Sequence, residues 1–213
     1  MRKALAISII IISILVASNL YLLTSREEHA FTINTIVKVY INDKLVYVKK
    51  GDMFNKNIEA LLGIFTTGDE ILYKEDGSQV SNVHSINFQG PDLSWYDNAS
   101  EIARIYAITD SGWNPTYSTV ALPSSYVLLD AGSTIQWTEY SDNRIILTII
   151  HYKLFEESAT VYGSALGSHL SYNIYGDGSS DGYFLFCVDK FDSAITVNAG
   201  DILKIEYDIV INP

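Results

Sequence analysis

Nineteen consecutive residues without a charge, Leu5–Leu23, constrain this chain more than anything after them. As a helix they would extend roughly 28 Å at ~1.5 Å per residue, close to the ~30 Å hydrocarbon core of a bilayer and longer than the apolar region of about 7 to 15 residues in an ordinary secretory signal. Only Met1, Arg2, Lys3 and Ala4 precede the run, and the two cations keep that end on the cytoplasmic side. The sequence therefore divides into an N-terminal hydrophobic helix (residues 1–26) and an extracellular part (residues 27–213). Residues 5–23 place the chain in, or carry it across, a membrane, and the expected address is the cell surface.

Charge narrows the partners. All 25 acidic residues follow residue 26, against eleven of the 14 Lys and Arg, so residues 27–213 carry a net −14. A phosphate backbone needs a basic stripe, and Lys49-Lys50 is the only adjacent basic pair after Arg26, which argues against nucleic acid. Cys187 is the single cysteine, flanked by Phe186 and Val188, so no internal disulfide exists and the thiol is expected to be a small core residue.

Three fates are open to the apolar run: a retained anchor, a secretory signal cut after Ser18, or removal of the first four residues only. The third rests on a resemblance. Met-Arg-Lys-Ala followed at once by Leu5-Ala6-Ile7-Ser8 resembles the leader of archaeal type IV pilins, in which a short basic segment ending in a small residue is removed before a continuous hydrophobic helix. The resemblance covers about ten residues. It implies cleavage between Ala4 and Leu5 and packing of the helix with copies of itself in a filament core.

Past the polar neck of residues 24–30, the period becomes two. Phe31, Ile33, Thr35, Val37, Val39 and Ile41 share one face of a strand, and Asn42-Asp43-Lys44 turns it into Leu45–Val48. Two pairings are open for this long strand: with its own domain, or, through Phe31, Ile33 and Val37, with the sheet edge of a neighbouring copy. One helix is expected, with Asp52 as N-cap and Phe54, Ile58, Leu61, Leu62 and Phe65 at helical spacing. Strand-like runs separated by turn formers then continue to the end, including Tyr117–Leu122, Thr134–Tyr140 and Arg144–Leu154 joined by Ser141-Asp142-Asn143, Thr160–Tyr162 and Tyr183–Val188. In the last run Leu203, Ile205, Tyr207, Ile209 and Ile211 alternate with Lys204, Glu206 and Asp208, one buried and one solvated face. The fold class is all-β: an antiparallel, jelly-roll-like β-sandwich with one short helix, behind the N-terminal hydrophobic helix. The closing segment Ile195–Tyr207, with its Asn198-Ala199-Gly200-Asp201 turn, also resembles the final hairpin of sandwich domains in viral tail and shell proteins and in surface-filament subunits.

Catalytic patterns are absent from the sequence. The four histidines are scattered, His151 lies in a strand as a structural residue, and Gly163-Ser164-Ala165-Leu166-Gly167 places its serine one position too early for a nucleophile elbow, which leaves a glycine-flanked loop. Asp177, Ser179 and Asp181 with Gly182 repeat the first half of a calcium loop, but position twelve is Val188, so a calcium clip in a β loop stands against a plain turn. Asn98-Ala99-Ser100 is a glycosylation acceptor. Trp95, Tyr96, Trp113 and Tyr117 form either a binding platform or packing. No cofactor other than calcium is expected. Three non-enzymatic functions remain: a surface-filament subunit made of copies of itself, a membrane-anchored adhesion or ligand-binding module, and a structural protein of an archaeal virus.

Overall fold

The computed structural model describes residues 32–51, 53–66, 70–87, 103–139, 145–174 and 178–212. These form twelve strands and one helix, and every strand pairing is antiparallel. Among the described residues no helix is long and apolar enough to cross a membrane; Leu5–Leu23 lies outside them.

The first sheet is ordered β2-β1-β12-β9-β8, from Lys44–Lys50 (β2), Thr32–Ile41 (β1), Ile202–Asn212 (β12), Ile145–Leu154 (β9) and Ala131–Glu139 (β8). The β1–β2 turn holds Asn42 and Asp43 at φ 50° and 64°. Both residues tolerate the left-handed region, and two such residues in a row give the twist a two-residue hairpin needs. β1 pairs with β12 from Thr32↔Asn212 to Ile41↔Leu203, so its own domain is the partner seen here. Ile33 faces Ile211, Val37 faces Tyr207, and Phe31 lies outside the described residues. β8 and β9 form the expected hairpin, closing at Glu139↔Ile145.

The second sheet runs β3-β11-β10-β5-β4, from Met53–Phe54 (β3), Gly178–Val197 (β11), Ala159–Ile174 (β10), Gln79–Asn87 (β5) and Glu70–Tyr73 (β4). Ala103–Ile108 (β6) also pairs with β10, and Tyr126–Leu129 (β7) pairs with β6. The period-two residues of both sheets meet in one core: Val37, Val39, Leu203, Ile205 and Tyr207 from the first; Leu166, Leu170, Phe184 and Phe186 from the second. A smaller cluster of Tyr106, Ile108, Trp113, Ala165, Leu185 and Val188 fills the other face of the second sheet.

Several expectations need correction. The helix, α1, spans Lys56–Thr66, and its cap is Asn55, whose Oδ1 accepts the Asn57 N–H at 3.0 Å. Phe54 is therefore not helical; it pairs with Cys187 in β3, and Asp52 lies outside the described residues. Residues 117–122 form turns and bends, not a strand, because the segment around Trp113 covers the second sheet by side-chain insertion and Thr116 and Thr119 bond each other locally. The Gly163–Gly167 loop is instead the middle of β10, held by β11 on one side and β6 on the other. Glycine and serine are weak strand formers in isolation, yet here both neighbours are present and close approach requires small residues. The Asp177–Gly182 segment, expected as a β loop or turn, is from Gly178 onward the start of β11.

Candidate functional site

The chemistry-bearing side chains that meet in space do so between the two sheets. Tyr207 projects inward from β12, and its hydroxyl donates to Asp189 Oδ2 of β11 at 2.9 Å. That uses its one hydrogen, so Ser164 Oγ of β10, 2.7 Å away, donates to Tyr207 Oη. Ser164 and Tyr207 are fully buried and Asp189 is 1% exposed. Burial, then the Asp189 charge, pushes the Tyr207 hydroxyl well above its usual range, so it stays a neutral donor. Burial likewise, with Asp189 second, raises the Cys187 thiol well above its usual value, as a core cysteine requires.

Two close approaches complete the cluster. Trp113 Nε1 donates to the Asp189 carbonyl at 2.9 Å, and its indole lies on Gly163, where an added Cβ would stand 2.7 Å from the ring and 2.2 Å from the same carbonyl. A Cβ at Gly51 would sit 1.8 Å from Thr35 Oγ1 and 3.1 Å from Asp189 Oδ1. The serine, tyrosine and carboxylate thus form a donor chain sealed inside the protein, bonding β12 of one sheet to β10 and β11 of the other. A buried chain of this kind fixes the relative position of the sheets, since each member left unpaired would cost its desolvation.

His151 is a second buried polar group. Its Nδ1 lies 2.9 Å from the Leu129 carbonyl and so carries the proton there, while Nε2 is buried without a hydrogen-bond partner among the described residues. Burial lowers its pKa against the opposing pull of the Leu129 carbonyl and Asp130. With the folded value below the unfolded ~6.5, the neutral ring's contribution is fully present above about pH 6.5. It is lost as pH falls below that, by up to ~1.4 kcal/mol per pH unit for one proton. Denaturant titrations between pH 7.5 and 5 should show this loss in the parent protein and a flatter profile in His151→Gln.

On the outward face of the first sheet, Lys38 Nζ bridges Glu206 and Asp208, each at 2.6 Å. Burial opposes its charge, but the bonds to Asp208 and Glu206 outweigh it and hold the ammonium above its ordinary range. Asp208, read from its alternation as a solvated residue, is buried and also accepts from Thr148 Oγ1 at 2.6 Å.

Ser179 and Asp181 of the calcium pattern are exposed on β11, opposite Asn173 and Ser171, and Asp177 lies outside the described residues. An extended strand spaces alternate residues about 6.6 Å apart instead of converging their oxygens. Asp181 approaches His169 Nε2 at 3.8 Å, and no group of three or more His, Cys, Asp or Glu able to hold a metal occurs among the described residues. Asn98, Trp95, Tyr96, Ala4 and Leu5 lie outside the described residues. Trp113 is core, while Tyr117 is exposed and its hydroxyl bonds Glu59. Sequence reasoning missed the Ser164–Tyr207–Asp189 chain, whose members are separated by 43 and 18 positions. The one signal available was a serine between small residues in an otherwise apolar neighbourhood.

No protein-family model matches the chain, and no curated protein and no solved structure matches it.

Proposed function

We propose that the chain is a non-enzymatic structural subunit of a cell-surface filament, with a jelly-roll-like sandwich displayed outside the cell and residues 5–23 joining copies in the membrane and then in the filament core. The observation that carries the reading is a juxtaposition. An uncharged stretch long enough to span a bilayer is followed after only residues 24–31 by β1, a strand paired along its whole length in a two-sheet β fold. A neck that short couples the apolar segment closely to the domain, as a polymer subunit requires.

The interior chemistry supports the same reading. Ser164, Asp189 and His151 are residue types that serve as nucleophile, acid or base elsewhere, and each is spent here on internal bonding with its side chain buried. The pilin-like leader at Ala4-Leu5 supplies the route to the surface, and Asn98 is a modification acceptor on the exported side. Shearing of intact cells tests the proposal biochemically. The sheared material should pellet at high speed with this chain as its main component, beginning at Leu5. Recovery of the chain only in the detergent-soluble membrane fraction would count against it.

A further inference from the structure

The outward face of the first sheet exposes apolar side chains beside a set of paired charges. Leu45, Val48, Tyr152, Leu154 and Ile202 are all exposed, with Val48 at 55% and Leu154 at 56%. The register places them on one surface. Leu45 stands opposite Tyr40, Tyr40 opposite Lys204 and Lys204 opposite Tyr152, while Ile202 stands opposite Leu154 and Val48 opposite Lys38. The charges between them are already paired: Lys38 with Glu206 and Asp208, and Lys204 with Asp43 at 3.1 Å while lying over the Tyr40 ring.

We infer that this face is the contact through which the extracellular domain packs against a second copy of the same chain. The identity of the partner rests on the filament reading; the surface and its charge do not. Two copies of residues 27–213, each with a net −14, repel over most of their surfaces, and contact is cheapest where charge is internally compensated. Lys38 and Lys204 against Glu206, Asp208 and Asp43 leave a single negative charge, so this face carries little of the excess acidity of residues 27–213. The exposed part spans β2, β1, β12 and β9 at the Ile202 end of the sheet, since Asp208 and Val210 further along β12 are buried. Four strands ~4.8 Å apart over about five residues at ~3.4 Å make roughly 330 Å², within the ~300–600 Å² at which the largest exposed patch of a monomer is often functional. Two such faces can stack at ~10 Å as sheets do within sandwiches.

The test uses the full chain, prepared from separate unlabelled and ¹⁵N-labelled cultures and mixed before assembly, with the photo-crosslinker p-benzoylphenylalanine at Leu154. Irradiation should give a product of twice the chain mass whose linked peptides join position 154 of one isotopic copy to residues 44–50, 145–154 or 202–210 of the other. Val48→Lys with Ile202→Lys should reduce its yield at least about tenfold, the equivalent of ~1.4 kcal/mol. The crosslinker at Asp76, an exposed turn position outside this sheet, should give no dimer. Linkage of position 154 to residues 5–23, to lipid, or to nothing overturns the inference. Filaments without the face-to-face crosslink leave the filament reading standing and remove this contact; the crosslink without filaments does the reverse.

Discussion

Tyr207→Ala should abolish the cooperative thermal transition of the two-sheet β fold or move its chemical midpoint close to zero denaturant. The substitution acts twice. It removes a fully buried aromatic ring from the contact between the two sheets, at about 3–5 kcal/mol for a large-to-small change. It also leaves Ser164 and Asp189 without the hydroxyl that links them, a further ~1–3 kcal/mol for buried groups losing a partner. Their sum, about 4–8 kcal/mol, is comparable with the whole stability of ~5–15 kcal/mol expected of a domain. Tyr207→Phe separates the contributions, because the ring stays and only the hydroxyl goes, and it should cost about 1.5–3 kcal/mol. On the opposite face of the same strand Glu206→Ala should lose less than Tyr207→Phe, since Glu206 shares Lys38 with Asp208. Equal losses at positions 206 and 207 would mean that the donor chain does not bind the sheets together.

Gly163→Val is the second change expected to be severe. A Cβ at this position meets the Asp189 carbonyl at 2.2 Å and the Trp113 ring at 2.7 Å, and the first of these is backbone that cannot swing aside. Accommodation requires β10 and β11 to separate or Trp113 to leave the Asp189 carbonyl, so overpacking and a lost buried hydrogen bond combine to about 3–5 kcal/mol. Gly178→Ala is the informative comparison. Nothing lies within 4 Å of its added Cβ, so only the φ of +84° opposes it, at about 1–2 kcal/mol. Urea midpoints measured on the two variants distinguish steric crowding from backbone conformation. A loss at Gly163 no larger than that at Gly178 would show that the indole does not rest on β10.

What could be read from the residues alone follows from where the deciding forces act. The alternation of β12 and β1 gives the core face of their middle stretch, because burial repeats every second residue and Val37, Val39, Leu203, Ile205 and Tyr207 are all in the core, whereas towards the other end Ile33 on that face is exposed and Val210 on the opposite face is buried. The Asn42-Asp43 turn is legible because few residue pairs accept that backbone. Asp208 was misplaced because its burial depends on Lys38 from another strand and Thr148 from a third. The Gly163–Gly167 segment looked like a loop because its glycines answer to Trp113 and Asp189, distant in sequence, not to a turn. The helix start slipped from Asp52 to Asn55 because both are good caps, and β3 pairing with β11 claims Met53 and Phe54 for a strand. Ser164, Tyr207 and Asp189 carry no local pattern that ties them together; only the closing of two sheets over one core does.

Electron microscopy of cells carrying the full chain, stained with gold-conjugated antibody against residues 32–212, tests the assembly reading most directly. Continuous filaments of uniform diameter decorated along their length are expected. They should disappear in Ile12→Lys, which places a charge within Leu5–Leu23, while the chain remains detectable by immunoblot. Gold confined to a featureless surface or to discrete particles, or filaments of unchanged number in Ile12→Lys, would contradict an assembly built through that segment.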